Sequence, residues 1–135
     1  MHREMPALHT VIEAAADLLE QDSALNMGGP PGLVRAFDVR TGKERWHWQA
    51  IPQAGDPATA TWKNDAWKYS GASNVWSTFS VDEQLGLVYV PTTGGTNDMY
   101  GGHRLGDDLY TSSIVALDMK SGKRAWHFQT THHDL

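Results

Sequence analysis

His132, His133 and Asp134 stand side by side near the end of this 135-residue chain, and their side chains are of types that can bind a metal or move a proton. Two adjacent histidines could suggest a metal site, but without a third ligand at suitable spacing they are weak evidence for one. A second group of useful side chains, Trp62, Trp67 and Tyr69, falls in a long irregular stretch from Ile51 to Asn74. Their rings could stack on the faces of a pyranose, or pin the loop to the body of the protein; pinning is the preferred reading. The chain has no cysteine, so it can form neither a disulfide nor a thiolate metal site, and its redox compartment stays open.

These groups need a scaffold, and the bulk properties allow one. The length suits one compact domain, and 40% hydrophobic residues supply a core. A net charge of -5 leaves no basic surface for nucleic acid or for an anionic membrane. No apolar window is long enough to cross a bilayer as a helix. Near the start, Glu13 and Asp17 interrupt the apolar run, which argues against a signal peptide.

The spacing of Val11, Ile12, Ala15, Leu18 and Leu19 predicts a short amphipathic helix over His9 to Gln21, with Thr10 and Glu13 as a capping box. The Gly/Pro cluster NMGGPPG, Asn26 to Gly32, ends it, so residues 1–31 read as helix and linker. From there the pattern turns to short strands: Leu33–Asp38 with Glu44–Gln49, Trp76–Val81 with Leu87–Val90, and Ile114–Asp118 with Arg124–Gln129.

The first and last of these hairpins repeat one another. AFDVRTGKERWHWQ from Ala36 returns as ALDMKSGKRAWHFQ from Ala116, with Ala, Asp, Gly, Lys, Trp, His and Gln at the same offsets. Such self-similarity marks one supersecondary unit built twice. The Asp can accept hydrogen bonds from turn amides, the Gly can take a positive φ, and the Trp offers a broad face to a neighbouring unit. His47 and His127 repeat with it and read as blade positions rather than catalysts.

The pattern A-x-D-x-x-[TS]-G-K-x-x-W resembles the tryptophan-docking motif of quinoprotein dehydrogenases. The stretches SNVWSTFSVDEQLGLVYVPTTGGTNDMYGGHR (Ser73 to Arg104) and YTSSIVALDMKSGKRAWHFQTTHHDL (Tyr110 to Leu135) are similar to the membrane-bound glucose dehydrogenase branch. The resemblance covers Gly32 to Leu135, and residues 1–25 do not share it. It implies an all-β fold, roughly two blades of an eight-bladed propeller over residues 32–135, with the short helix before them. Trp46 and Trp126 would be the docking tryptophans of consecutive blades.

The resemblance further implies pyrroloquinoline quinone (PQQ) as cofactor, with Ca²⁺ or Mg²⁺. Trp76 takes the position of the indole that stacks on the quinone. Thr96 takes a position at the metal and quinone site, with Asn97 and Asp98 as neighbours. Arg104 is a candidate contact to a cofactor carboxylate. The HHDL segment resembles the opening of the active-site segment, whose general-base Asp would lie two residues beyond Leu135, so no catalytic residue is assigned here. Asp134 fits the earlier Asp of that motif, and would orient a backbone turn or a group that itself supports the site. The implied parent oxidises a glucose-like aldose or polyol, passes electrons to ubiquinone at the periplasmic face of the bacterial inner membrane, and completes its propeller with further blades. The 135-residue chain alone would be inactive. A non-enzymatic propeller scaffold that binds protein partners carries the same docking motif and is the alternative.

Overall fold

In the computed structural model, residues 10–15, 32–97 and 99–134 are described. They form two antiparallel sheets. The first contains β1 (Thr10–Ala15), β2 (Leu33–Asp38) and β3 (Glu44–Gln49), in that order. The second runs β4 (Ser80–Asp82), β5 (Leu87–Pro91), β6 (Ser113–Asp118), β7 (Arg124–Gln129), each strand beside its sequence neighbour. Three short 3-10 segments, Pro57–Thr61, Lys63–Lys68 and Gly101–His103, punctuate the long loops.

The repeat is real at atomic detail. In the first copy Asp38 Oδ1 accepts from the amides of Arg40 and Thr41, both at 3.0 Å, and from the Thr41 hydroxyl at 3.1 Å. In the second, Asp118 Oδ1 accepts from the amides of Lys120 (3.1 Å) and Ser121 (2.8 Å) and from the Ser121 hydroxyl at 2.7 Å. These bonds hold both carboxyls below the usual Asp range, led by the Thr41 amide for Asp38 and by the Ser121 hydroxyl for Asp118. Gly42 and Gly122 follow with φ of 67° and 69°. Each hairpin also carries a register shift at the same place, Ala36/Phe37 and Ala116/Leu117.

Alternation on the strands turns one face of each sheet inward. Val34, Ala36 and Trp46 from the first sheet meet Val88, Val90, Val115, Leu117 and Met119 from the second in one core. Each large apolar side chain removed from water there contributes about 1.5–3 kcal/mol.

The N-terminal helix is not what forms over residues 10–15. They make β1, antiparallel to β2 from Thr10↔Asp38 to Ala15↔Leu33. Thr10, Val11 and Ile12 are β-branched, which favours a strand, and a short apolar run does not distinguish helix from strand by spacing. The outer edge of β2 offers a row of backbone partners that a helix would leave unpaired. The rest of the predicted helix, to Gln21, lies outside the described residues. A second correction concerns β4, which begins at Ser80 rather than Trp76. Trp76 therefore sits in irregular chain ahead of the strand.

Candidate functional site

The Trp76 loop is fixed by its neighbours on both sides. Gly32, just ahead of β2, donates its amide to the Ala72 carbonyl at 2.7 Å. It approaches so closely that a Cβ there would lie 2.8 Å from Asn74 Cα. On the other side, the amide of Ser73 donates to Gly94 O (3.0 Å), that of Thr93 to Asn74 O (2.9 Å) and that of Thr96 to Gly71 O (3.2 Å). Ala72 and Ser73 hold left-handed φ of 56° and 55°. Residues other than Gly adopt that conformation at a cost of about 1–3 kcal/mol each, and it gathers at functional loops. From this clamped segment Trp76 emerges with 75% of its surface exposed.

Thr96 is buried, and its Oγ1 accepts from the Gly71 amide at 2.8 Å. A hydroxyl has a second lone pair and a proton of its own, so this bond leaves it able to contact a further group. Ser70 Oγ and Ser73 Oγ, on the segment paired with the Thr96 loop, are buried and have no hydrogen-bond partner among the described residues. Buried hydroxyls left in this way suit an additional polar partner. Uncharged oxygens on the segments that lead into and pair with the Trp76 loop, together with its exposed indole, are of the types that suit a flat, acidic cofactor with a hard cation. Asn97 Oδ1 is engaged by the Met99 amide at 2.7 Å, and Asp98 lies outside the described residues. Among the described residues there is no cluster of three or more His, Cys, Asp or Glu able to hold a metal.

Arg104, the candidate contact to a cofactor carboxylate, packs against the two glycines of the Thr96 loop. It is fully buried, and its Nη1 donates to Asp108 Oδ2 at 3.1 Å, a carboxylate buried just as deeply. Burial pushes Asp108 up to about 6, against the opposing pull of Arg104 and His133. His133 Nδ1 is 3.8 Å from the same oxygen and 2.9 Å from the Gly106 carbonyl. A carbonyl only accepts, so Nδ1 carries the proton. Asp134 Oδ2 accepts from Ser112 Oγ at 2.9 Å. This bond ties the end segment to Ser112. The Asp108 partner was not visible in the sequence; its only trace there is the four-residue spacing from Arg104. The serines at 70 and 73 left no trace at all.

The aromatic residues of the long loop pin it. Trp62 is buried and its Nε1 donates to the Leu109 carbonyl; Tyr69 donates its hydroxyl to His103 O at 2.7 Å; Trp67 packs beside Ile51 and Ala66. The repeated tryptophans differ instructively. Trp46 is 8% exposed, donates Nε1 to Met119 O at 3.0 Å across the two sheets, and lies on Gly122. Trp126, at the same blade position, is 43% exposed. His47 and His127 stay peripheral: the first pairs with Glu44 at 2.8 Å and the second meets the Tyr110 ring edge-on.

Known proteins share both the pattern and the shape. Residues 9–135 match the PQQ family described as glucose/ethanol/alcohol dehydrogenase, β-propeller domain. That match begins ahead of β1 and extends the likeness upstream of Gly32. Quinoprotein glucose dehydrogenase A of Acinetobacter calcoaceticus is 38% identical over 107 residues, covering 78% of this chain and 13% of that protein. A quinohemoprotein alcohol dehydrogenase of Pseudomonas putida is 38% identical over 120 residues, covering 78% of this chain and 17% of the relative. The solved quinohemoprotein alcohol dehydrogenase of Comamonas testosteroni superposes with a TM-score of 0.74 at 28% identity, over 94% of this chain and 20% of that one. The chain thus spans under a fifth of the length of these two relatives. Two successive sheets docked through Trp46, in a chain matched almost from end to end, place this protein in the β-propeller family of the PQQ-dependent glucose, ethanol and alcohol dehydrogenases.

Proposed function

We propose that this chain is part of a quinoprotein dehydrogenase that oxidises a glucose-like aldose or a polyol with PQQ and hands the electrons to ubiquinone. The observation that carries the reading is Trp76, an indole left three-quarters exposed on a loop otherwise clamped by backbone hydrogen bonds. Exposing so large an apolar ring forgoes about 1.5–3 kcal/mol of burial, which a flat partner on its face would recover. The bound quinone would supply an electrophilic carbonyl that takes hydride from the substrate carbon.

The chain's own residues have simpler tasks. Trp76 sets the plane of the cofactor. Thr96, with Ser70 and Ser73 nearby on the paired segment, offers hard oxygens toward it and toward Ca²⁺ or Mg²⁺. Arg104, paired with Asp108 and out of solvent, supports the loop from behind. The parent protein would work at the periplasmic face of the bacterial inner membrane, its propeller completed by further blades beside Trp126.

The test is a titration of the full-length protein that carries this chain with PQQ and Ca²⁺, followed by tryptophan fluorescence, then by turnover on aldoses, polyols and simple alcohols. Trp76→Ala should weaken quinone binding by about tenfold or more, the worth of one stacking contact. It should leave the melting temperature almost unchanged, because the ring packs on little else. A folded full-length protein that binds no quinone would refute the reading and favour the non-enzymatic scaffold.

A further inference from the structure

The deepest charges in the described structure lie behind the Gly94–Thr96 loop. Arg104 and Asp108 are both wholly out of solvent, 3.1 Å apart. A buried ion pair recovers little more than its desolvation cost, and an apolar pair often serves stability as well. Such a pair is better understood by what it holds in register.

Three stretches of chain converge on it. Arg104 runs beneath the two glycines of the loop: a Cβ on Gly95 would sit 3.3 Å from Arg104 Cδ, and one on Gly94 would sit 3.9 Å from Arg104 Nη2. That Gly94 position is also 3.3 Å from Asp134 Oδ2, so the loop, the arginine and the end segment share one small space. From the other side, His133 donates to Gly106 O at 2.9 Å and faces Asp108 at 3.8 Å. Thr130 donates its amide to Ser112 O at 2.8 Å, and the Ser112 amide in turn donates to Thr93 O at 3.0 Å. Asp108 and Ser112 hold left-handed φ of 52° and 46°, so the connecting turn is itself constrained.

We propose that Arg104, Asp108 and His133 are positioning residues that lock the Gly94–Thr96 loop and the Thr130–Asp134 segment into one unit. Neither the pair nor the histidine touches substrate; they act through the loop that carries Thr96 and through the segment that carries Asp134. The consequence for turnover rests on the quinoprotein reading above, whereas the coupling of the two segments does not. The charged and titratable groups that act on the Asp108 carboxylate are Arg104, His133 and Asp107.

Amide hydrogen exchange on the full-length protein tests the coupling directly. In Asp108→Asn and in His133→Ala, exchange at residues 93–96 and 130–134 should rise together, by about tenfold, while β5 and β6 stay unchanged. Arg104→Lys, which keeps the charge, should restore most of the protection relative to Arg104→Met. With cofactor bound, kcat should fall by about tenfold in the Asp108 and His133 variants, with KM and quinone affinity altered less than about threefold. His133 is partly exposed, so its variant reports even if the buried substitutions fail to fold. Exchange that rises in one segment alone, in neither, or equally through β5 and β6 would overturn the proposal. Should the wild type bind no quinone, the functional reading falls and the exchange result still decides the coupling.

Discussion

Gly42 and Gly122 occupy the same place in the two copies of the hairpin, and they separate two costs that usually arrive together. Both have φ near 70° in the left-handed region, at 67° and 69°. Alanine in that conformation costs roughly 1–2 kcal/mol. At Gly42 nothing lies within 4 Å of the added Cβ, so the backbone term is the whole cost. At Gly122 the new atom falls 2.6 Å from Cδ2 and Cε3 of Trp46. Carbon atoms rest about 3.5–4.0 Å apart, so the indole must retreat by about 1 Å. That retreat strains the bond from Trp46 Nε1 to Met119 O, now 3.0 Å, and disturbs the core between the sheets. Overpacking costs about 1–3 kcal/mol, and a weakened buried hydrogen bond adds about 1 kcal/mol. Gly122→Ala is therefore expected to lose about 2–4 kcal/mol more than Gly42→Ala.

Urea melts of the two variants in one background measure that difference. A double-mutant cycle assigns it: in a Trp46→Ala background the ring is gone, and Gly122→Ala should cost no more than Gly42→Ala. Equal losses at the two glycines with Trp46 present would refute the claim that this tryptophan docks on the turn of the next blade.

Other expectations follow from the loops. Asp108 has its folded pKa raised from 3.8 to about 6, so its ionised form is disfavoured by folding. Its contribution therefore makes stability fall as pH climbs from about 4 to about 6, by about 3 kcal/mol at most, and Asp108→Asn should flatten that slope in urea melts. Asp38 and Asp118 act in the opposite sense. Their folded pKa values are depressed, so the stability they add is present above about pH 4 and is lost as pH drops through the lowered values. In Thr96→Val the buried Gly71 amide loses the oxygen that accepts it at 2.8 Å, at a cost of about 1–3 kcal/mol. Thr96→Ser keeps that oxygen and should melt close to wild type.

The parts of the fold legible in the sequence are those built from local chemistry. The Asp–x–x–[Thr/Ser]–Gly turn closes through bonds no more than five residues long, so its recurrence could be read directly. Where partners are distant, the reading failed. An amphipathic run at Thr10–Ala15 became a strand because β2 supplied an edge, which no periodicity within the run could announce. Trp76 was expected to open a strand and instead precedes it, because Gly32 and Thr93 hold the chain from opposite sides. Arg104 reads as a candidate contact to a cofactor carboxylate; its pairing with Asp108, four residues on, is a further feature that no motif announces.

The two copies of the repeat also show which face of a blade is made for another. Val34 and Trp46 are buried in the first sheet, where the second covers them. Ile114, Trp126 and Phe128, which match Val34, Trp46 and Trp48 by position, stay exposed at 41%, 43% and 64%. The same tryptophan at the same place in two matching hairpins, buried once and exposed once, cannot owe that difference to its own residue type. Among the described residues, a neighbouring sheet covers Trp46 and none covers Trp126. The docking tryptophan is thus a sequence feature whose energy is realised only between units, and Trp126 should become as costly to remove as Trp46 once a further blade covers it, about 3–5 kcal/mol for truncation to alanine.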